Sequence, residues 1–265
     1  VLRFVALGSG SEGNALLVEV RSDGVCTRVL LDCGFGVRET VARLSAVGVD
    51  AASVDAVLVT HEHSDHVGGA YKLARRFGMP VYMSHGTRHA SQHLANQIQV
   101  LQLCGHTPLT IGNVQVTPHP VPHDAREPLQ FTFSDGVSKL AVLTDLGCAT
   151  SHVVRMLEGA DVIVLECNHD SDMLQASAYP ESLKARIRGA FGHLSNAQAA
   201  ALLGSVTTAG RAQLFAAHLS RRNNHPDLAR QALGRALNRS PEKIGILAQD
   251  QPGDWIEVGS AIGAA

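Results

Sequence analysis

The chain has 265 residues, 45% hydrophobic, 17% charged and 4% aromatic, and its 22 basic and 24 acidic side chains leave a formal net charge of −2. This composition suits one large globular domain spanning 1–265 and excludes wholesale disorder, a collagen-like repeat and a surface coated in positive charge. Five cysteines without a C-x-x-C pair fit buried thiols in a reducing, cytoplasmic compartment, and no apolar run reaches the roughly 20 residues that cross a bilayer, so no membrane partner is expected.

Strands are predicted at 4–8, 15–20 and 29–32, apolar or β-branched runs bounded by Gly, Ser or Asp. The opening segment is too short for a cleaved leader and reads as the first of them. Val41, Leu44 and Val47 recur at helical spacing before Gly48, which predicts a helix over 38–47. Residues 55–60 (DAVLVT) are a continuous apolar run, as in a strand buried on both faces. A helix near 69–77 and a strand at 80–84 follow. His85, His89 and His93 share helical spacing without a carboxylate among them and read as exposed helix surface. Strands at 114–118, 129–134 and 139–144 come next, the last two joined by Asp135-Gly136. The second half continues the alternation. It has a helix at 153–157, a strand at 161–166 (DVIVLE), helices at 180–191 and 196–207 (the latter with an Asn cap), a strand at 212–217 and a helix at 227–237 behind Pro226. Buried strands interleaved with helices imply a layered α/β domain with its helices outside.

Histidine is over-used, with 14 residues, but placement matters more than number. The run Thr60-His-Glu-His-Ser-Asp-His66 leaves the buried strand at 55–60 directly. In extended chain His61 and His63 point to one side, and a turn can bring Asp65 and His66 to a second position. Neutral imidazoles with a carboxylate are the donor set of zinc or a similar divalent metal. Further donors are sought at other strand ends, where Asp145 and His218 each follow an apolar strand closely. His123 stands among Pro118, Pro120 and Pro122, a setting that serves His119 equally well.

The H-x-H-x-D-H motif followed by His, Asp and His resembles the metallo-β-lactamase-fold hydrolases over nearly the whole chain. Gly8-Ser-Gly-Ser-Glu-Gly-Asn14, Val121-Pro-His-Asp124, Gly192-His-Leu-Ser-Asn196 and Ala217-His-Leu-Ser-Arg-Arg-Asn-Asn224 are similar to the bacterial YycJ (WalJ) branch of that family. The resemblance implies an α/β (α+β) fold, a four-layer αββα sandwich with a dinuclear site on one edge. It implies two divalent metal ions per chain, Zn2+ or Mn2+, one on His61, His63 and His123 and the other on Asp65, His66 and His218. Asp145 would bridge them, with Asp65 also catalytic. It further implies a nuclease that attacks phosphorus with a metal-activated hydroxide, acting 5′-to-3′ on double-stranded DNA. A thioester or lactone hydrolase of the glyoxalase II type shares the ligand pattern and is the alternative. His193 is the candidate general acid, since ribonuclease Z has a similarly placed histidine that is not a ligand. Ser9, Ser11 and Asn14 in the Gly-rich turn, with Ser220, Arg221, Asn223 and Asn224 after His218, are the candidate phosphate-backbone contacts. Glu166 and Asn168 are candidates for orienting a ligand.

Overall fold

The computed structural model describes residues 1–92 and 98–259. The first half runs β1 (Leu2–Gly8), β2 (Ala15–Ser22), β3 (Val25–Leu31), α1 (Val37–Ala46), β4 (Ala56–Leu58), α2 (Ser64–Val67), α3 (Ala70–Phe77), β5 (Val81–Ser84), α4 (His85–Ser91) and β6 (Val100–Leu103). The second comprises β7 (Leu109–Ile111), β8 (Val114–Pro120), β9 (Leu129–Ser134), β10 (Lys139–Leu143), α5 (Ser151–Leu157), β11 (Val162–Glu166), α6 (Ser171–Ala176), α7 (Glu181–Arg188), α8 (Asn196–Gly204), β12 (Gln213–Ala217), α9 (Pro226–Ala236), β13 (Ile244–Ile246) and β14 (Ile256–Glu257). Two mixed seven-stranded sheets result, in the orders β14-β1-β2-β3-β4-β5-β6 and β13-β12-β11-β10-β9-β8-β7. No helix among the described residues is long and apolar enough to cross a membrane.

Strand alternation explains the four layers. On β1, Phe4 and Ala6 face one way, while Val5 and Leu7 face the other, and all four are buried. Phe4 and Ala6 join Val18, Leu58, Phe131, Val142, Val164 and Phe215 in the layer between the sheets, where Phe4 meets Phe215 edge-on at 5.5 Å. Val5 and Leu7 instead pack with Leu44 of α1 and Leu73 of α3. On the opposite sheet Leu143, Ile163 and Leu214 pack with Met156 of α5, Leu203 of α8 and Leu233 of α9. Strands covered on both sides carry continuous apolar runs, which is why 55–60 and 161–166 are legible as strands.

The two helices around the Gly192 segment are shorter than their sequences predict. α7 stops at Arg188 and the chain folds back on it, with Gly192 N donating to Gly189 O at 2.9 Å and His193 N to Ile187 O at 2.9 Å. A Cβ at Gly192 would collide with the carbonyls of Arg186 and Ile187, so this return needs glycine. α8 is capped by Ser195 instead of an Asn. Its hydroxyl accepts from Gln198 N at 3.2 Å while Gln198 Oε1 accepts from Ser195 N at 2.9 Å, a reciprocal box. Asn196 is drawn inward to pair with Asn224 at 2.8 and 2.9 Å.

Across β1, β2 and β3 one buried carboxylate gathers three arginines. Arg3 Nε and Arg21 Nε donate to Glu19 Oε1 at 2.6 and 2.7 Å, and Arg28 Nε donates to Oε2 at 2.7 Å. Burial works to raise the Glu19 pKa, but the hydrogen bonds from Arg21, Cys26, Arg3 and Arg28 outweigh it and hold the carboxyl at about 2. Because the folded pKa is depressed, this contribution to stability is present above the ordinary value of 4.5 and is lost as pH falls from there through about 2. Glu19→Gln is expected to lower Tm at pH 7, to be less damaging at pH 3, and to flatten the acid limb between them. Parallel thermal melts check this, and an unchanged Tm at pH 7 would contradict it.

Candidate metal centre and its cavity

Each candidate donor leaves a strand. His61 to His66 follow β4, His123 follows β8, Asp145 follows β10, Glu166 ends β11 and His218 follows β12, so both sheets deliver them to one edge of the sandwich. Asp32 after β3, Asp145 and His218 have φ of 58°, 52° and 54°. Left-handed backbone at such residues costs of order 1–3 kcal/mol each and persists only where its surroundings over-determine it. Gly34 shows how tightly the α2 turn is held. A Cβ there would collide with Asp65 O, which instead accepts from Asn14 N at 2.8 Å.

Four imidazoles are fixed from behind through Nδ1. His61 Nδ1 lies 2.9 Å from Thr60 Oγ1, whose own proton goes to Asp32. His66 Nδ1 donates to Asp32 Oδ2 at 2.8 Å, His123 Nδ1 to Gly192 O at 3.0 Å and His218 Nδ1 to Glu166 Oε1 at 3.0 Å. With Nδ1 so engaged in each ring, all four Nε2 atoms turn toward the interior of the site. There His61 Nε2 is 2.9 Å, and His123 Nε2 3.4 Å, from His63 Nδ1. His66 Nε2 is 3.1 Å from Asp145 Oδ2 and 3.4 Å from Asp65 Oδ2, and His218 Nε2 is 3.7 Å from Asp65 Oδ2.

These atoms converge without satisfying one another. Despite the short distance to His66, Asp145 Oδ2 is buried with no hydrogen-bond partner, and so is His218 Nε2. Buried polar atoms without partners are costly, and a cation taken up in place of the imidazole protons would complete them. His61, His63 and His123 form one group with donor atoms within 4.8 Å of one another; Asp65, His66 and His218 form a second, and His61, His66 and Asp145 link the two. The set fits a divalent metal of the zinc or manganese type.

Charge divides along the same lines. Burial, reinforced by the nearby His66 charge, pushes His61 well below the usual imidazole range. Burial opposes the charged form of His66 too, but Asp145 and Asp32 outweigh it and hold His66 well above that range. His218 is likewise lifted to about 10 by Asp145, Asp65 and Glu166 against its burial. Asp145, although buried, is held well below the carboxylate range by His218 and His66.

A cavity of about 270 Å³ opens onto this cluster. His63, Asp65, Asp145 and His218 line it together with Tyr179 and with Leu183, Arg186 and Ile187 of α7. His193 stands at its edge, its Nδ1 2.8 Å from Glu166 Oε1. Glu166 Oε2 accepts from Leu146 N at 2.9 Å and Leu194 N at 3.1 Å, so this buried carboxylate ties the His193 loop to the Asp145 loop.

The candidate backbone contacts separate. Ser11 lines the cavity. Ser9 Oγ accepts from His218 N at 2.9 Å, Asn14 Nδ2 reaches Gly10 O at 3.0 Å and His66 Nε2 at 3.2 Å, and Asn224 is occupied by Asn196. Asn223 is buried, and Ser220 Oγ accepts from its N–H at 3.2 Å. Arg221 pairs with Glu12 at 2.8 Å and with Asp250. Asn168 Nδ2 donates to His218 O at 3.2 Å, bracing the backbone of that donor.

His119 stands outside the cluster, 3.1 Å from Thr132 Oγ1 and stacked near His152, which also meets His106. His85 and His89 are exposed on α4, and His93 lies outside the described residues. Sequence reasoning missed Asp32, Thr60 and the α7 wall. A carboxylate closing the apolar run before Cys33 was the available signal for Asp32, whereas nothing local marks α7 as facing a site.

A family profile described as "Beta-lactamase superfamily domain" matches residues 27–218. The chain is 35% identical over 247 residues to "Exodeoxyribonuclease YycJ" of Bacillus anthracis, covering 92% of each chain. It is 30% identical over 253 residues to "Exodeoxyribonuclease WalJ" of Streptococcus pneumoniae, covering 92% of this chain and 91% of the relative. Among solved structures, the metallo-β-lactamase-fold protein YhfI of Bacillus subtilis superposes with a TM-score of 0.73 at 19% identity, over 97% of this chain and 100% of that one. The strand-end donor cluster thus lies in a sandwich of known kind, and the chain belongs to the β-lactamase superfamily, within the family of the bacterial YycJ and WalJ proteins.

Proposed function

We propose that the chain is a metal-dependent nuclease that degrades double-stranded DNA from its 5′ ends. The observation that carries this reading is the cavity. At about 270 Å³ it is of the size of one nucleotide beside the donor cluster, which suits attack at a chain end. The names of the two full-length relatives support a nucleic-acid substrate. His61, His63 and His123 would hold one divalent ion, Asp65, His66 and His218 another, and Asp145 would lie between them. When bound, such a pair supplies an activated water and neutralises the charge on the phosphoryl group under attack.

The chain's own groups do the rest. Glu166 takes the Nδ1 proton of His193 at 2.8 Å, so His193 Nε2 is the ring atom free to give a proton to the departing 3′ oxygen. The carboxylate orients the imidazole and stabilises its charged form, as the third member of a catalytic triad does. Asp124 is anchored by Arg186 Nε at 2.6 Å, and its other oxygen lies 3.4 Å from His123 Nε2, so α7 is tethered to the donor cluster. Ser11, on the cavity wall, offers a hydroxyl for a phosphate oxygen.

Protein supplied with Zn2+ or Mn2+ is expected to shorten 5′-labelled duplex DNA from the labelled end and to leave a generic thioester intact. Hydrolysis of the thioester alone would sink the nuclease reading in favour of a glyoxalase II-like one. Asp145→Ala should abolish activity and lower metal content; full activity in that variant would reject its place between the ions. His193→Ala should keep its metal while kcat falls by roughly 10²–10⁴-fold. Loss of metal from it would make His193 a ligand instead.

A further inference from the structure

Phe191 leaves 61% of its surface in water and directly precedes Gly192 and His193, which line the cavity, whereas every other Phe, Tyr and Trp is buried or half-buried. Its backbone is clamped from several sides. Phe191 O accepts from Asp124 N at 2.9 Å, directly beside His123. Gly147, two residues beyond Asp145, packs so closely that a Cβ there would sit 2.5 Å from Phe191 Cα. The following residue, Gly192, lines the cavity and gives its carbonyl to His123, and His193 comes next. An apolar ring that the fold leaves in water, on backbone fixed by the site itself, is prepared for a flat partner. An ordered backbone also lowers the entropy lost on contact.

We propose that Phe191 is a stacking platform for the base of the 5′-terminal nucleotide, recognising the end of the strand whatever its sequence. This rests on the nuclease reading. Every base has a π-face, so stacking holds an end without selecting among bases. Tyr179, Leu183 and Ile187 of the cavity lining would give the same nucleotide apolar contact.

The test compares wild type, Phe191→Ala and Phe191→Trp on duplex DNA whose 5′-terminal nucleotide is either intact or abasic. Phe191→Ala is expected to raise KM on intact ends by roughly ten- to a hundred-fold with kcat little changed, and Phe191→Trp to restore it. Removing the terminal base should cost wild type the same factor and cost Phe191→Ala nothing more, since both remove one contact. An unchanged KM in Phe191→Ala, or an equal rise on intact and abasic ends, would overturn the stacking role and leave the nuclease reading standing. Wild-type protein inert on DNA would overturn both.

Discussion

The structure depends on a crowd of buried nitrogens and oxygens at one sheet edge that the chain alone satisfies poorly. Asp145 Oδ2 and His218 Nε2 are without hydrogen-bond partners, and His61 Nε2 and His123 Nε2 crowd a single His63 nitrogen. Such an arrangement is unfavourable in isolation, because buried polar atoms without partners forfeit their hydration. It can be held only by a scaffold with stability to spare. Two sheets buried on both faces, with apolar layers between and outside them, are that scaffold.

The supporting groups convert stability into geometry. Asp32, Glu166 and the carbonyl of Gly192 each claim an Nδ1 proton, so the rings cannot rotate their lone pairs away without leaving a carboxylate or carbonyl unpaired. The left-handed turns at Asp32, Asp145 and His218 place these residues immediately beyond their strands, where the sheets are most rigid. Glu166 binds His218, His193 and the backbone of two loops together. The candidate metal donor His218 and the proposed proton donor therefore share one anchor, and displacement of either would be felt by both.

Much of this is legible in the sequence because it is local. Apolar runs with both faces buried mark β4 and β11, and the donors follow such runs within a few residues. What is not legible depends on distant packing. β6, β7, β13 and β14 are only two to four residues long, too short to show a period. Asn14, Asn223 and Asn224 look like phosphate contacts in a Gly-rich or Arg-rich run, yet Asn14 and Asn224 are committed to Gly10, His66, Asn196 and the Cys167 carbonyl. Arg221 finds Glu12 and Asp250 from remote parts of the chain. The choice between His119 and His123 is also made by folding. Pro120 still belongs to β8, so His119 points along the sheet to Thr132, while His123 has left the strand.

Native mass spectrometry of the chain equilibrated with Zn2+ or Mn2+ tests the central claim most directly, because it counts ions without reference to any substrate. The account predicts two divalent ions on the wild-type chain and one on His218→Ala, with the first triad intact. A wild-type chain that stays metal-free at saturating Zn2+ or Mn2+, or a His218→Ala chain that retains both ions, would contradict it.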